Sequence, residues 1–320
     1  MLEKKAYAKV NLSLDIVGLR EDGYHLVRMV MQSLDIFDTL TFEKLEKPEI
    51  VVLLNDAKGD DGRSVDSKEN VTEGEKPEDA SATTDNLGKV PLDENNLIYK
   101  VAKLLFEKYV WTRDEKAGVK ITLTKNIPIA AGMAGGSSDA AATFRGINEL
   151  FELNLMDKEL MEMGVTLGAD IPYCIMGGTA LSEGIGEVLT KLPDMPKCYY
   201  LVAKPPISVS TGEAYGGYDR LTENIKHPDV DGQVDAIYAG DLKGVTDRFS
   251  NVLEFVTARN HKEIGVLEKI MLEGGALNSM MSGSGPTVFG IFDDEAKAEA
   301  VKEEITAKEL ADQVFVTIAV

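Results

Sequence analysis

Pro128-Ile-Ala-Ala-Gly132-Met-Ala-Gly-Gly136-Ser-Ser-Asp139-Ala-Ala-Ala142 is the stretch on which the fold turns. It follows a short apolar alternation, Val119 to Leu123, that reads as a strand. It opens a helix predicted to run to about Leu153. Side chains this small let the backbone approach a ligand closely. The helix behind them offers unpaired N–H groups and the positive end of its dipole. Together these make an anion cradle, whose usual occupant is phosphate. The pattern is neither G-x-x-x-x-G-K-[ST] nor G-x-G-x-x-G, and no H-R-D or D-F-G triplet occurs in the chain. A loop of this composition is also a common tight turn with Ser137 or Ser138 as its N-cap. Taken alone, it leaves both readings open.

Outward from the loop, residues 5 to 17 alternate polar and apolar and predict a strand. After turn chemistry at Arg20 to Tyr24, the segments Leu26 to Leu34 and Thr39 to Phe42 predict two more. Leu97, Val101, Leu104 and Leu105 have helical spacing. A helix is predicted from Asp157 to about Leu167, with Gly168 as a left-handed stop. Strands are expected at Thr179 to Ser182, Glu187 to Leu189, Tyr199 to Ala203, Thr287 to Phe292 and Val314 to Val320. Residues 212 to 272 look mostly helical, broken by Pro228.

Residues 56 to 85 hold ten Asp/Glu and four Lys/Arg, with Val65 and Val71 as their only large aliphatics. So little apolar surface cannot offset chain entropy, and the segment reads as a disordered acidic insert. The 320 residues are 44% hydrophobic, enough for two domains. The expected division is 1–184 and 185–320. No apolar run reaches the roughly 18 residues a spanning helix needs, and the N-terminus lacks the pattern of a signal peptide. Cys174 and Cys198 are the only cysteines, so no disulfide framework or metal finger is expected. The sequons at Asn11 and Asn70 then read as chance matches. These features point to a cytoplasmic protein without membrane attachment. A formal charge of −20 and no basic-aromatic cluster argue against nucleic-acid binding. A small anionic substrate is compatible, because helix N-termini and one or two lysines suffice to hold it.

Two further segments sharpen the reading: Ala6-Tyr-Ala8-Lys9-Val-Asn11-Leu and Ser282-Gly-Ser-Gly-Pro-Thr287. With the central glycine loop they stand in the order found in the GHMP kinases, which the chain resembles over nearly its whole length outside the acidic insert. Asp22-Gly-Tyr-His25, Asn95-Asn-Leu97, Leu167-Gly-Ala-Asp-Ile-Pro172 and Glu183-Gly-Ile-Gly-Glu187 extend the resemblance. It implies an α+β, two-lobed kinase with mostly antiparallel sheets and the active site in the inter-lobe cleft. The first lobe would bind nucleotide and carry the catalytic residues; the second would help bind substrate. The matching turn and Gly-Ala-Asp-Ile-Pro segment imply a cytidine diphosphate-linked methylerythritol as the small-molecule substrate, phosphorylated at its 2-hydroxyl.

The resemblance also implies roles. Asp170 would be the general base, and Lys9 would sit beside it and hold it ionised, as an opposite charge does. ATP would be bound by Pro128, Ile129, Ala130, Ala131, Gly132, Met133, Ala134, Gly135, Gly136, Ser137 and Ser138, with Asn96 on the adenosine side. Lys125 is placed similarly, though a strand-end lysine fits it equally. Tyr24 and His25 would bind the cytosine, Asn11 and Thr211 the substrate, and Tyr215 the other face of the base, with Tyr218 as its close rival. Mg2+ is implied, with Ser138 a candidate ligand. Ala134 stands where many relatives have glycine, and a negative φ there would still allow close approach. Another GHMP kinase acting on homoserine or mevalonate, or a nucleotide-binding module without chemistry, are the competing readings.

Overall fold

The computed structural model describes residues 1–55, 94–222 and 225–320, so the acidic insert expected at 56–85 lies outside the described residues. The chain starts as a long antiparallel ribbon, β1 (Leu2–Leu19) against β2 (His25–Leu45). The two strands predicted at Leu26 to Leu34 and Thr39 to Phe42 are therefore one strand. It stays continuous because β1 pairs with it from His25 to Phe42, while on its other side its two halves take different partners. Met29 to Gln32 pair with β5 (Thr179–Glu183), and Thr39 to Leu45 pair with β4 (Gly118–Thr124). With β3 (Ile50–Leu54), β6 (Val188–Lys191) and β8 (Ser250–Asn251), these make a seven-stranded sheet. A second, antiparallel sheet has the order β11 (Gln313–Thr317), β7 (Tyr199–Lys204), β10 (Val288–Phe292), β9 (Asn278–Met281). Among the described strands, only β3 with β4 and β1 with β8 run parallel. The expected division at 184/185 falls inside the β5–β6 hairpin, and the change of sheet comes between Lys191 and Tyr199.

Helix α1 (Leu97–Leu105) runs on as a π turn to Val110 and packs beside α2 (Gly135–Leu150). Helices α3 (Asp157–Gly164) and α4 (Ile171–Met176) complete that layer. Phe42, Leu40, Ile121, Phe106 and Phe144 are fully buried between helices and sheet. The predicted helix end at Gly168 is displaced. Helix α3 stops at Gly164, where a Cβ would lie 2.7 Å from the Ile171 side chain, and Gly168 has no left-handed φ. The second sheet is covered by α9 (Lys262–Glu273) and α10 (Glu295–Ala307). Between β7 and α9 in sequence lie α5 (Thr211–Asp219), α6 (Val230–Ala239), α7 (Leu242–Thr246) and α8 (Glu254–Asn260). The helical expectation for 212 to 272 holds apart from β8. No helix among the described residues is long and apolar enough to cross a membrane.

Small residues set how closely α2 meets the sheet. A Cβ on Gly146 would stand 2.4 to 2.8 Å from carbons of the Phe42 ring. Gly146→Val should therefore overpack this contact and lower stability by about 1–3 kcal/mol. Urea unfolding would measure it, and an unchanged midpoint would show that the helix can move away at no cost.

Candidate active site

Strand β1 departs from simple alternation where it matters. Lys9, Asn11, Ser13 and Asp15 are polar yet at most 8% exposed, which marks a covered face. A register shift between Asn11 and Ser13 changes the parity of the strand, so Lys9, Asn11 and then Leu14 line one cleft of about 820 Å³. The Lys9 ammonium donates to Asn11 Oδ1 at 2.6 Å, and the Lys9 N–H donates to the Met133 carbonyl at 3.2 Å. This draws the glycine loop onto the strand.

The C-terminal loop joins them. Ser282 Oγ donates to the Gly132 carbonyl at 3.0 Å, and the Asn11 N–H reaches the same hydroxyl at 3.4 Å. Gly132 has a φ of 72°, and a Cβ there would sit 2.3 Å from the Ser282 carbonyl oxygen. Only glycine fits. A Cβ on Gly283 would come within 3.1 Å of the Gly132 carbonyl and 3.5 Å of Lys9 Nζ. Sequence reasoning missed the residue that holds this loop. Asn251 Nδ2 donates to the carbonyls of Met281 (2.9 Å) and Gly283 (2.8 Å), and only the short β8 puts it there.

Residues 128 to 137 wall the cleft, and α2 presents its first N–H groups to it. Two expectations change here. Ala134 has a φ of 56°, not negative, and Ala130 has 51°. The loop thus holds two alanines in left-handed backbone, each strained by roughly 1–2 kcal/mol. Neither serine caps α2. Ser138 Oγ instead points inward, donating to the Tyr7 carbonyl at 2.5 Å, and Ser138 is not part of the cleft wall. Ser137 is the hydroxyl at the wall. Asn96, also on the wall, caps α1 by accepting the Ile98 N–H at 2.8 Å, so a second helix N-terminus faces the cleft.

Asp170 begins α4 and lines the cleft half-buried. Lys9 lines it too, but no ion pair joins them; the Lys9 ammonium donates to Asn11 instead. Tyr215 stands close to Asp170: burial first, then that charge, pushes its phenol up to about 12. His25 lies 4.9 Å from the Tyr215 ring at a 40° tilt. One nitrogen of its ring, Nε2, is engaged by Asp219 at 2.7 Å. Tyr24, 60% exposed, and Thr211, whose hydroxyl is 3.2 Å from Ser284 Oγ, also line this end. Tyr218 meets His25 edge-on from outside the cleft wall. The cleft thus has an N–H-rich end at the glycine loop, an aromatic end at His25, and Lys9 and Asp170 among its walls. Among the described residues, no three His, Cys, Asp or Glu converge as a metal cluster.

Two clusters of buried acids, one at the cleft wall and one behind the C-terminal loop, also escaped the sequence, which singled out only Lys125 among their residues. Lys125 bridges Asp38 and Asp139. Burial alone would lower its ammonium, but the Asp139 and Asp38 carboxylates hold it above its ordinary value. Behind the C-terminal loop, Glu254 accepts the Met281 N–H at 2.8 Å and is hydrogen-bonded to Glu268. Burial, then the Glu254 charge, pushes the Glu268 carboxyl up to about 8.

Known proteins resemble this chain throughout. Residues 96–178 match the GHMP kinases N terminal domain and residues 234–311 the GHMP kinases C terminal family. The 4-diphosphocytidyl-2-C-methyl-D-erythritol kinase of Lachnoclostridium phytofermentans is 44% identical over 317 residues, covering 99% of this chain and 97% of that protein. Its counterpart in Lachnospira eligens is 46% identical over 313 residues, covering 98% and 96%. A crystal structure of 4-(cytidine 5'-diphospho)-2C-methyl-D-erythritol kinase superposes with a TM-score of 0.74 at 26% identity, covering 99% of each chain. Homoserine kinase from Cytophaga hutchinsonii shares the fold at 20% identity, with a TM-score of 0.68 over 99% of this chain and 95% of that one.

The left-handed Ala134 predicts that Ala134→Gly raises stability by about 0.5–1 kcal/mol, the relieved strain exceeding glycine's extra chain entropy. A lowered melting temperature would contradict that. The Glu254–Glu268 pair predicts a pH effect. In the unfolded chain Glu268 ionises near 4.3, and in the folded chain near 8, so between those values the folded state binds more protons. Stability should fall as pH rises across that window, and Glu268→Gln should flatten the fall in urea midpoints. An equally steep fall in the variant would place its source elsewhere.

Proposed function

The chain belongs to the GHMP kinases, in the family of the 4-diphosphocytidyl-2-C-methyl-D-erythritol kinases, and on that premise we propose that it transfers the γ-phosphoryl group of ATP to the 2-hydroxyl of 4-diphosphocytidyl-2-C-methyl-D-erythritol. The products are the 2-phosphate and ADP, a step of non-mevalonate isoprenoid precursor synthesis in the cytoplasm. The observation that carries this reading is the single cleft with an anion cradle at one end and the His25–Tyr215 aromatic pair at the other. That span suits a substrate whose base is far from its reacting hydroxyl. Homoserine and mevalonate have no base to meet such a pair.

In this reading the cradle, residues 128 to 137, takes the triphosphate on its N–H groups. Asn96 borders the adenosine. His25, with Asp219 on one ring nitrogen, presents its other edge to the cytosine, and Tyr215 and Tyr24 flank the base. Asn11 and Thr211 orient the rest of the substrate. Asp170 takes the proton of the 2-hydroxyl as that oxygen bonds to the γ-phosphorus. The bond from phosphorus to the β–γ bridging oxygen breaks, and ADP leaves with the electron pair. Lys9 offsets charge on the phosphoryl oxygens in flight, and its hydrogen bond to Asn11 fixes where that charge lies. Most of the acceleration then comes from positioning and electrostatics, as phosphoryl transfer requires.

Magnesium carried by the triphosphate supplies charge neutralisation. It needs only one or two protein oxygens, and Ser137 offers one at the wall, in place of Ser138. The lobes of this kinase divide between Lys191 and Tyr199, where the chain changes sheet.

A coupled ADP-release assay with ATP, magnesium and the cytidine substrate tests the reading. Turnover should require the acceptor, and CDP should compete with it. Asp170→Asn should lose on the order of 10²–10⁴-fold in kcat while still binding ATP. Undiminished turnover in that variant would remove Asp170 as the base. Failure of CDP to compete would remove the cytidine assignment.

A further inference from the structure

We propose that Asp38 is the positioning residue of the nucleotide loop, holding its leading end directly and its trailing helix through Lys125. The proposal rests on the reading of that loop as the triphosphate cradle. Asp38 lies on β2 opposite Ala6 of β1 and is fully buried. A carboxylate so placed is tolerated only if its lone pairs are engaged. Here they are engaged by three consecutive residues. Asp38 Oδ1 accepts the N–H of Asn126 (2.5 Å) and of Ile127 (2.8 Å), and Oδ2 accepts the Lys125 ammonium. The next residue is Pro128, where the loop begins.

Lys125 carries the tie onward. Its ammonium also donates to Asp139 Oδ2 at 3.0 Å, and Asp139 is the fifth residue of α2. One buried carboxylate is thus linked to both ends of the segment 128 to 134. Within that segment Ala130 and Ala134 sit in left-handed backbone, a conformation that persists only when the surroundings over-determine it. The hydrogen bonds from Lys9 and Ser282 fix its middle, at Met133 and Gly132. Asp38 fixes its ends. Asp38 itself has no surface in the cleft, so it acts on the nucleotide only through the loop.

Asp38→Asn keeps the size of the side chain. It removes the charge that Lys125 pairs with and weakens the double acceptor for Asn126 and Ile127. In the full-length protein, calorimetry should show ADP affinity falling about 10-fold or more. The KM for ATP should rise in step, while the KM for the cytidine substrate stays within about twofold. Amide exchange should quicken across residues 126 to 137 and not elsewhere. A folded variant that binds ADP like the wild type overturns the proposal, as do equal shifts in both KM values, the mark of a general structural role. Wild-type protein that fails to bind ADP sinks the nucleotide reading and the proposal with it. If Asp38→Asn does not fold, Asp38→Glu, which keeps the charge but displaces both oxygens from the Asn126 and Ile127 N–H groups, must show the same selective loss of ADP affinity; unchanged affinity there overturns the proposal.

Discussion

The contact between Gly132 and the carbonyl of Ser282 is the constraint on which this molecule depends. It leaves no room for a Cβ, so the glycine loop of one sheet layer and the turn after β9 of the other meet backbone to backbone. Lys9 and Asn11 reach the same junction from β1, through the Met133 carbonyl and the Ser282 hydroxyl. Three segments far apart in sequence converge on a few ångströms. Each is polar or small because the others occupy the space a larger side chain would need. The cleft beside this junction takes its shape from it.

Charge explains the design of the cleft. A chain with a formal charge of −20 repels a triphosphate at long range. The cleft counters this locally with peptide N–H groups at the starts of α1 and α2 and with Lys9, while Lys125 is spent on two carboxylates. Backbone donors cost nothing in side-chain entropy and are already oriented, which suits a site that must hold charge as it moves.

Much of this could be read in the sequence, and the omissions have physical causes. The strands of the ribbon, the helix after the glycine loop and the three small-residue segments follow from local periodicity and composition. The break in β1 does not, because Leu12 looks like any other alternating residue until its register against β2 is known. The left-handed φ of Ala134 contradicts the intrinsic preference of alanine, so only tertiary packing reveals it. Ser138 and Ser137 are adjacent and chemically alike, and the helix phase alone decides which faces the cleft. Asn251, Asp219 and Asp38 act through partners dozens to hundreds of residues away, and no spacing rule finds them. Lys9 lines the cleft, as the motif suggested, but its ammonium is bonded to Asn11 and not to Asp170.

Strand β8 is only two residues long, yet it runs parallel to Ser13 and Leu14 and sets Asn251 under the C-terminal loop. During synthesis Ser13 and Leu14 therefore wait for their partners until most of the chain has left the ribosome. Strand residues left unpaired are a template for pairing with other chains. The amino-terminal half carries the glycine loop, but the asparagine that holds the facing turn comes from the other half. Evolution by swapping its carboxy-terminal half for another would have to preserve this short parallel stitch, along with the asparagine it delivers.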